Sequence, residues 1–508
     1  MNRKTGVVLS YMFMIFEVLS TLLLTPFIIR NLGQAEYGVY KLSASVNAYL
    51  LLLDLGVGNA ITRYIAKFRV TKEKEKESRF LGIVTFYYIA IAVIALVAGG
   101  ILVAVFPTAF AKGLTLEETA LGQKLISITM INSAVVLGTT AYTNVLIAYE
   151  KFYISKGAAI VQIILRMLFT YAALKMGTGS IGIVSVNLLM TILCRSFFVF
   201  YVLVRMKIRP QLQGIDFSFV KEIIMYSSLI LLQMIATQIN ATVDQILIGS
   251  LVASSSTVLA VYGVGTQIVT YFQSIGTAFT GVLMPGIVKL VESKASSKQI
   301  TDEMIRIGRI IFIVLALIWG VFLINGQEFI TLWAGNENRQ AYFVAVILMT
   351  AYVFYLSESV GTQVLWAMNE HREQAYLKIS IVLLNIILTV LLIKRNPLIG
   401  ATIGTFISIM LGDIGVMNYI FVKKLHINLI YYYKNLFKGT VLFMTVSVLI
   451  GYMIKLFLPE GWIWFCIKSF IMVLIYGLGM LFFGFNDYEK GLVNSILNKL
   501  KLRKGEEK

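Results

Sequence analysis

The stretch that decides the fold runs from Val145 to Leu174 and reads VLIAYEKFYISKGAAIVQIILRMLFTYAAL. A second stretch, VLWAMNEHREQAYLKISIVLLNIILTVLLI, runs from Val364 to Ile393 and aligns with it at a separation of 219 residues. In both stretches a long apolar run follows a short polar segment, and further matches flank them. The sequence therefore predicts a duplicated architecture in which each copy has the same order of apolar segments.

The composition excludes a soluble enzyme. Of the 508 residues, 58% are hydrophobic and 14% are charged, whereas soluble domains carry about 25% charged residues. We read fourteen apolar spans, each long enough for a membrane helix, which needs about 20 residues (range about 17–25). They lie at about 6–29, 38–62, 80–106, 125–148, 157–174, 181–204, 222–253, 257–287, 307–326, 341–367, 376–393, 398–422, 437–458 and 462–485. Because backbone groups find no partner in hydrocarbon, we predict an all-α integral membrane protein with about 14 transmembrane helices.

The repeat and the spans together define the domain organisation. Spans 1–6 and 7–12 form two copies with an even number of spans each, so both copies face the same way in the membrane. Transporters that rock two bundles about a central site use such parallel repeats, while duplication for assembly alone is the alternative. We predict two six-helix lobes at 1–210 and 211–425, two C-terminal helices at 426–486 and a basic cytoplasmic tail at 487–508.

The basic residues predict the orientation. The 44 Lys and Arg residues exceed the 26 Asp and Glu residues and give a net charge of +18. With the N-terminus inside, 32 of the basic residues fall in inner segments and nine in outer segments. Positive charge accumulates on the cytoplasmic side of membrane proteins, so we expect both termini in the cytoplasm. This distribution explains the net charge without a nucleic-acid partner.

Charged side chains inside the spans are candidates for function, because a charge in hydrocarbon is costly unless it faces a cavity or a partner. The acids are Glu17, Asp54, Asp244, Glu358 and Asp413. Any of them could bind a coupling proton or sodium ion. The alternative for each is a permanently paired structural charge.

Two arginines lie near the middles of spans 5 and 6. Guanidinium groups suit phosphate by geometry, so Arg166 and Arg195 are candidates to bind an anionic phosphate group. The alternative for each is a buried ion pair. Arg166 shares a helix face with Gln162 and Thr170. By the repeat, Arg166 aligns with Asn385 and Arg195 aligns with Asp413.

Polar residues at helical spacing predict wet faces on spans 1, 2, 7 and 8. They are Glu17, Thr21 and Thr25 in span 1; Ser43, Asn47, Asp54 and Gly58 in span 2; Gln233, Thr237, Asn240 and Asp244 in span 7; and Gln267, Thr270, Ser274, Thr277 and Gly281 in span 8. We expect these spans to line a shared central cavity in which Gln233, Asn240 and Gln267 contact the substrate. Packing between membrane helices is the alternative role for such residues.

Four segments carry a resemblance to a known family. They are PFIIRNLGQAEYGVYKL from Pro26, DLGVGNAITRYIAKF from Asp54, VDQILIGSLV with the following YGVG, and ITLWAG from Ile330. Their sequences and order resemble those of polysaccharide-repeat-unit (Wzx-type) flippases of the multidrug/oligosaccharidyl-lipid/polysaccharide exporter superfamily. The resemblance covers spans 1–12 and implies two lobes in a V around a central cavity. It also implies transfer of an undecaprenyl-diphosphate-linked oligosaccharide between leaflets, with spans 13 and 14 helping to house the lipid tail. Arg30 and Arg63 lie within the first two segments and join the candidates for headgroup binding.

The resemblance further implies a multi-pass protein of the bacterial cytoplasmic membrane. Its expected partners are the polyprenyl-diphosphate-linked glycan, membrane lipid, a glycan polymerase and glycosyltransferases, and we expect no metal, no cofactor and no catalytic residue. A drug or cation antiporter of the same superfamily is the alternative. A lipid II flippase is less favoured, because spans 1 and 2 lack the clustered arginines of those proteins. Short outer loops and the absence of an intramembrane histidine disfavour a membrane-embedded glycan polymerase.

Overall fold

The computed structural model describes residues 3–211, 217–293, 295–368, 370 and 372–495, and it contains no β-strand in this part of the chain. Seventeen α-helices follow one another. They are α1 (Arg3–Ala48), α2 (Val57–Thr71), α3 (Lys74–Ala109), α4 (Leu116–Ala148), α5 (Phe152–Lys175), α6 (Gly179–Phe200), α7 (Phe217–Leu251), α8 (Ser256–Glu292), α9 (Ser297–Ala334), α10 (Ala341–Ser357), α11 (Ser359–Ala367), α12 (Arg372–Leu392), α13 (Pro397–Ser408), α14 (Met417–Ile420), α15 (Leu429–Phe437), α16 (Thr440–Phe457) and α17 (Trp462–Gly479).

The predicted all-α membrane fold is confirmed. Among the described residues, eleven helices are long and apolar enough to cross a membrane, or twelve if α10 and α11 form one bent span. Predicted spans 1 and 2 share α1, which is interrupted at Gly33, where φ is +73° and only glycine is free of strain. Predicted span 7 coincides with α7, whose side chains up to residue 233 lie outside the described part.

Three of the predicted spans are irregular at a predicted acid, where we expected continuous α-helices. Span 2 contains a 3-10 turn that ends at Asp54, and Gly56 then takes a left-handed conformation with φ +72°. Span 10 bends by 42° at Glu358. Span 12 widens into a π-helix over residues 409–416, which includes Asp413. Periodicity alone misses such breaks, because the apolar pattern continues through them.

The first of two compact units consists of Met1–Gly263 and Thr389–Ala401. Its largest described core joins α2, α3, α4 and the end of α6. The buried members are Val57, Ile61, Ile65, Phe80, Leu81, Val84, Tyr88, Ala141, Tyr142, Val145, Leu146, Ala148, Phe198, Val202 and Ile208. This core fixes α4 and α6, which form two walls of the cavities described below.

The turn between α4 and α5 is anchored to this core. The Tyr149 hydroxyl donates to both carboxylate oxygens of Glu77 at 2.7 and 2.9 Å, and the Arg69 guanidinium lies 5.1 Å from the Tyr149 ring centre. Burial and the hydrogen bonds to Glu77 raise the pKa of Tyr149, so its hydroxyl stays a donor at neutral pH. The start of α5 is therefore held in a defined position.

The second unit consists of Val264–Leu388 and Thr402–Lys508, described to residue 495. Within it, α10, α15, α16 and α17 all pack against α9. Arg309 on α9 pairs with Glu489 at 2.6 Å, and both side chains are at most 5% exposed. The same guanidinium donates to the carbonyls of Asn435, Lys438 and Gly484. One arginine thus ties together the chain segments that enter α16 and leave α17.

A second buried ion pair joins Lys468 on α17 to Glu328 on α9. The lysine side chain is 1% exposed and lies 2.5 Å from Glu328. The Pro459 carbonyl also accepts from Lys468, and the Gly461 amide donates to Glu328. The lysine does not extend to the surface, because a buried partner on α9 satisfies its charge.

The predicted lobe boundaries at 210 and 425 stay predictions.

Candidate functional site

Three basic side chains line a cavity of about 260 Å³ between α1, α4, α5 and α6 of the first unit. They are Lys156 and Arg166 on α5 and Arg195 on α6, and Glu17 on α1 is the acid in the lining. We call this cavity the cationic chamber. Its lining is Phe13, Glu17, Thr143, Ile147, Ser155, Lys156, Ala159, Gln162, Ile163, Arg166, Cys194, Arg195 and Phe198.

Helical spacing on α5 explains why its basic residues face one cavity. Lys156, Ala159, Ile163, Arg166 and Thr170 follow one another at intervals of three and four residues, which keeps them on one helix face. All except Thr170 line the cationic chamber. A single face of α5 therefore carries two of the three cations.

The two arginines have no carboxylate partner within 4 Å among the residues that the structure describes. Arg195 donates a hydrogen bond of 2.6 Å to the Thr143 hydroxyl, which orients its guanidinium. Both side chains are half-buried. Unpaired cations in a largely apolar surrounding are costly, so this chamber favours a bound anion.

A second cavity of about 290 Å³ lies on the other side of Arg166, which lines both. We call it the polar chamber. Its lining is Ser20, Thr21, Leu24, Thr25, Ile28, Tyr40, Ala44, Asn47, Thr129, Asn132, Arg166, Thr170, Ile183, Val184 and Asn187. The Ser20 hydroxyl and the Asn132 carbonyl oxygen are buried without a hydrogen-bond partner among the described residues. Buried polar atoms seek partners, so the chamber suits water or a ligand rich in hydroxyl groups.

The predicted residues of the first unit separate into two groups. Glu17, Arg166 and Arg195 meet in the cationic chamber, as described above. Arg30 and Arg63 are exposed and line neither chamber. Their predicted role in headgroup binding stays a prediction.

The predicted acids of the first unit outside the chambers accept hydrogen bonds from neighbouring hydroxyls. Asp54 accepts from Tyr88 at 2.7 Å. Asp244 on α7 is 3% exposed and accepts from Tyr262 at 2.6 Å and Thr389 at 3.1 Å. On the same helix, Asn240 is half-buried, and the side chain of Gln233 lies outside the described part.

In the second unit, the two predicted acids contact neighbouring side chains, and the predicted glutamine is partly buried. Glu358 accepts from Tyr433 on α15 and from Asn418, the latter at 3.2 Å, while its second carboxylate oxygen has no described partner. Asp413 forms an ion pair with Lys378. Gln267 is half-buried on α8.

The repeat is asymmetric at the arginine positions. Asn385, which aligns with Arg166, is fully buried and accepts a hydrogen bond of 3.3 Å from Thr405. Asp413, which aligns with Arg195, is held by Lys378. In the first unit, an arginine lines a cavity at each of the two positions. In the second unit, one aligned position holds a neutral amide and the other holds a carboxylate in an ion pair.

Sequence reasoning missed Lys156, Thr143 and the unpartnered Asn132. Lys156 could have been found by extending the face of Gln162, Arg166 and Thr170 toward the start of α5. Thr143 and Asn132 lie on α4, on which we predicted no wet face.

A comparison with protein families gives one match over more than half of the chain. The family described as "Polysaccharide biosynthesis protein" matches residues 4–291. Among curated proteins, the chain is 29% identical over 191 residues to the lipid II flippase MurJ of Bacillus subtilis (strain 168). That alignment covers 36% of this chain and about a third, 33%, of the relative's length.

Solved structures share the fold at low sequence identity. A lipid II flippase MurJ in an inward closed conformation has a TM-score of 0.72 at 13% identity, over 94% of this chain and 97% of that chain. An inward-facing multidrug resistance MATE family transporter of the MOP superfamily has a TM-score of 0.62 at 12% identity, covering 80% and 95%. The MATE multidrug transporter DinF-BH in complex with R6G has a TM-score of 0.61 at 16% identity, covering 86% and 96%.

Proposed function

Because this chain belongs to the polysaccharide biosynthesis protein family, we propose that it is a flippase for undecaprenyl-diphosphate-linked oligosaccharide. The protein moves a polysaccharide or O-antigen-type repeat unit from the inner to the outer leaflet of the bacterial cytoplasmic membrane by alternating access. Both termini are cytoplasmic in this proposal. No bond of the substrate is broken, so the protein acts as a transporter and has no catalytic residue.

The pair of arginines that have no carboxylate partner among the described residues carries the proposal. A diphosphate is a compact anion with several oxygen acceptors, and guanidinium groups bind such oxygens through paired, directed hydrogen bonds. Arg166 and Arg195 line the same chamber, and Lys156 adds a third cation there. A diphosphate neutralises these charges when the headgroup enters, which offsets the cost of keeping them among apolar helices.

The polar chamber supports a sugar next to the diphosphate. It adjoins the cationic chamber through Arg166, so a sugar bonded to the diphosphate can enter it directly. The unpartnered oxygens of Ser20 and Asn132 can then bond with sugar hydroxyls. This arrangement accounts for a substrate that is both anionic and hydroxylated.

Transfer of the substrate in one direction requires an energy source, and the acids are candidate binding sites for a coupling ion. We propose that a proton or sodium ion binds at Glu17, Asp54, Asp244, Glu358 or Asp413 during the cycle. Glu17 is the one that lines the cationic chamber, so its protonation alters the charge that the substrate meets there. A glycan polymerase and glycosyltransferases act on the same lipid-linked glycan and are the expected partners.

The test uses proteoliposomes that contain a fluorescent undecaprenyl-diphosphate-linked oligosaccharide, with transfer between leaflets followed by quenching of the outer leaflet. Arg166→Ala and Arg195→Ala should each slow transfer by at least about tenfold, because a hydrogen bond to a charged group contributes about 1.5–3 kcal/mol. The Lys replacements should restore part of the rate, since an ammonium keeps the charge and loses the paired geometry.

Arg79→Ala is the matched control, because this exposed arginine pairs only with Glu75 at the surface. It should transfer the probe at the wild-type rate, and all variants should insert at equal levels. Wild-type transfer by both Arg166→Ala and Arg195→Ala would reject the proposed phosphate role.

A lipid II flippase is the second candidate, favoured by the similarity to the lipid II flippase MurJ of Bacillus subtilis. Lipid II also joins an undecaprenyl diphosphate to sugars, so the same arginines serve either cargo. Parallel transfer assays with lipid II and with a repeat-unit oligosaccharide separate the two. A third assay with a cationic dye tests the antiporter alternative, which predicts dye uptake and no lipid transfer.

A further inference from the structure

An apolar groove of about 390 Å³ runs between α5 and α6 beside the cationic chamber. Its lining is Tyr153, Ile154, Ala158, Val161, Gln162, Leu165, Met190, Leu193, Cys194 and Phe197. Several of these side chains are exposed, including Val161 at 54% and Leu193 at 55%. We call this surface the α5–α6 groove.

The groove adjoins the cationic chamber, and the cationic chamber adjoins the polar chamber, through shared lining residues. Gln162 and Cys194 line both the α5–α6 groove and the cationic chamber. Arg166 lines both the cationic chamber and the polar chamber. An apolar site, a cationic site and a polar site with unpartnered oxygens thus follow one another within the first unit.

We propose that the α5–α6 groove binds the part of the prenyl chain nearest the diphosphate while the headgroup occupies the two chambers. This inference rests on the proposed function and adds the path of the lipid. The cargo has the same order of chemistry as the sites, because an apolar chain is bonded directly to the diphosphate and the diphosphate directly to the sugar. Because Gln162 and Cys194 line both the groove and the cationic chamber, a prenyl chain in the groove lies next to a diphosphate in the chamber.

This location differs from the one that the resemblance implied, which was near spans 13 and 14. Those spans correspond to α16 and α17, which belong to the second unit, whereas the arginines belong to the first. One of the two cysteines of the chain lies at each location, so thiol labelling can test both. Cys194 lines the α5–α6 groove, and Cys466 is exposed on α17.

The first experiment fills the groove with a larger side chain. Leu165→Trp and Leu193→Trp should slow transfer of the undecaprenyl-linked probe by about tenfold, which corresponds to about 1.4 kcal/mol. Leu168→Trp and Leu189→Trp are matched controls, because these leucines lie on the same two helices, are 56% and 51% exposed, and do not line the groove. The controls should transfer the probe at the wild-type rate.

A tail-less competitor keeps the two proposals distinguishable. A methyl-diphosphate-linked sugar should inhibit transfer equally well in the wild type and in the groove variants, because the chambers are unchanged. Normal transfer by Leu165→Trp and Leu193→Trp would overturn the groove inference. It would leave the flippase proposal to be decided by the arginine variants. Normal transfer by the arginine variants would instead overturn the flippase proposal itself.

The second experiment measures thiol labelling by a membrane-permeant maleimide in phosphatidylglycerol vesicles. In the Cys466→Ser variant, undecaprenyl diphosphate should slow labelling of Cys194 more than methyl diphosphate does at equal occupancy. In the Cys194→Ser variant, labelling of Cys466 should not change. Protection of Cys466 alone would place the tail at α17, and no protection by the prenyl chain would assign the groove to ordinary membrane lipid. Either result would overturn the inference.

Discussion

Replacing Lys468 by Met, Glu328 by Gln, or both residues together tests how α17 is held against α9. The two side chains are each 1% exposed and meet at 2.5 Å. Glu328 also accepts from the Gly461 amide at 2.9 Å, and Lys468 donates to the Pro459 carbonyl at 3.2 Å. Each replacement keeps the approximate volume of the side chain and removes one charge.

The expected magnitude follows from the burial of both partners. Removing one member leaves the other as an uncompensated charge, which typically costs about 3–5 kcal/mol of folding free energy. Removing both charges leaves no uncompensated charge at this contact, and replacing a buried pair by neutral residues is often close to neutral. The double variant should therefore be more stable than either single variant, with a large favourable coupling between the two sites.

The measurement is a double-mutant cycle on the free energy of unfolding, obtained by titration with SDS in mixed micelles. Transport of the fluorescent lipid-linked probe, measured in parallel, should be less affected, because the arginines that we assign to the substrate lie in the other unit. Losses below about 1 kcal/mol for both single variants, as surface pairs give, would refute the reasoning.

Three further substitutions test other described contacts. Arg309→Met should lower the free energy of unfolding by about 3–5 kcal/mol in the same titration, while the exposed Arg306→Met stays within about 0.5 kcal/mol; equal effects would contradict the buried clamp. Gly56→Ala should cost about 1–2 kcal/mol, because φ is +72° there, and an unchanged stability would count against the left-handed break. Thr143→Val should slow probe transfer about fivefold by releasing the arginine that it orients, about 1 kcal/mol, whereas Thr139→Val, which bonds only within its own helix, should not.

The sequence was sufficient to predict the all-α membrane fold and one face of the candidate site. Apolar runs of the right length specify membrane helices because the bilayer removes every other way to satisfy the backbone. The periodicity that placed Gln162, Arg166 and Thr170 on one face also holds in the structure, where all three line one of the two chambers. Local rules of this kind need only neighbours along the same helix.

The contacts between distant segments could not be predicted in the same way. Lys468 and Glu328 lie 140 residues apart, and nothing in either local pattern identifies the other as its partner. The breaks at Asp54 and Glu358 were also missed, because hydropathy averages over a window and does not register a single change of backbone conformation. Tertiary packing decides both features, and the sequence pattern carries little of that information.

The difference between Arg166 and Asn385 has a consequence for stoichiometry. A duplicated gene begins with two interchangeable halves, and a protein built from them could in principle load two cargo molecules per cycle. Here the first copy keeps a guanidinium beside open space, and the second copy has a fully buried amide at the aligned position. We therefore expect a single molecule of cargo per chain and a hyperbolic dependence of rate on its concentration, despite the internal symmetry of the fold.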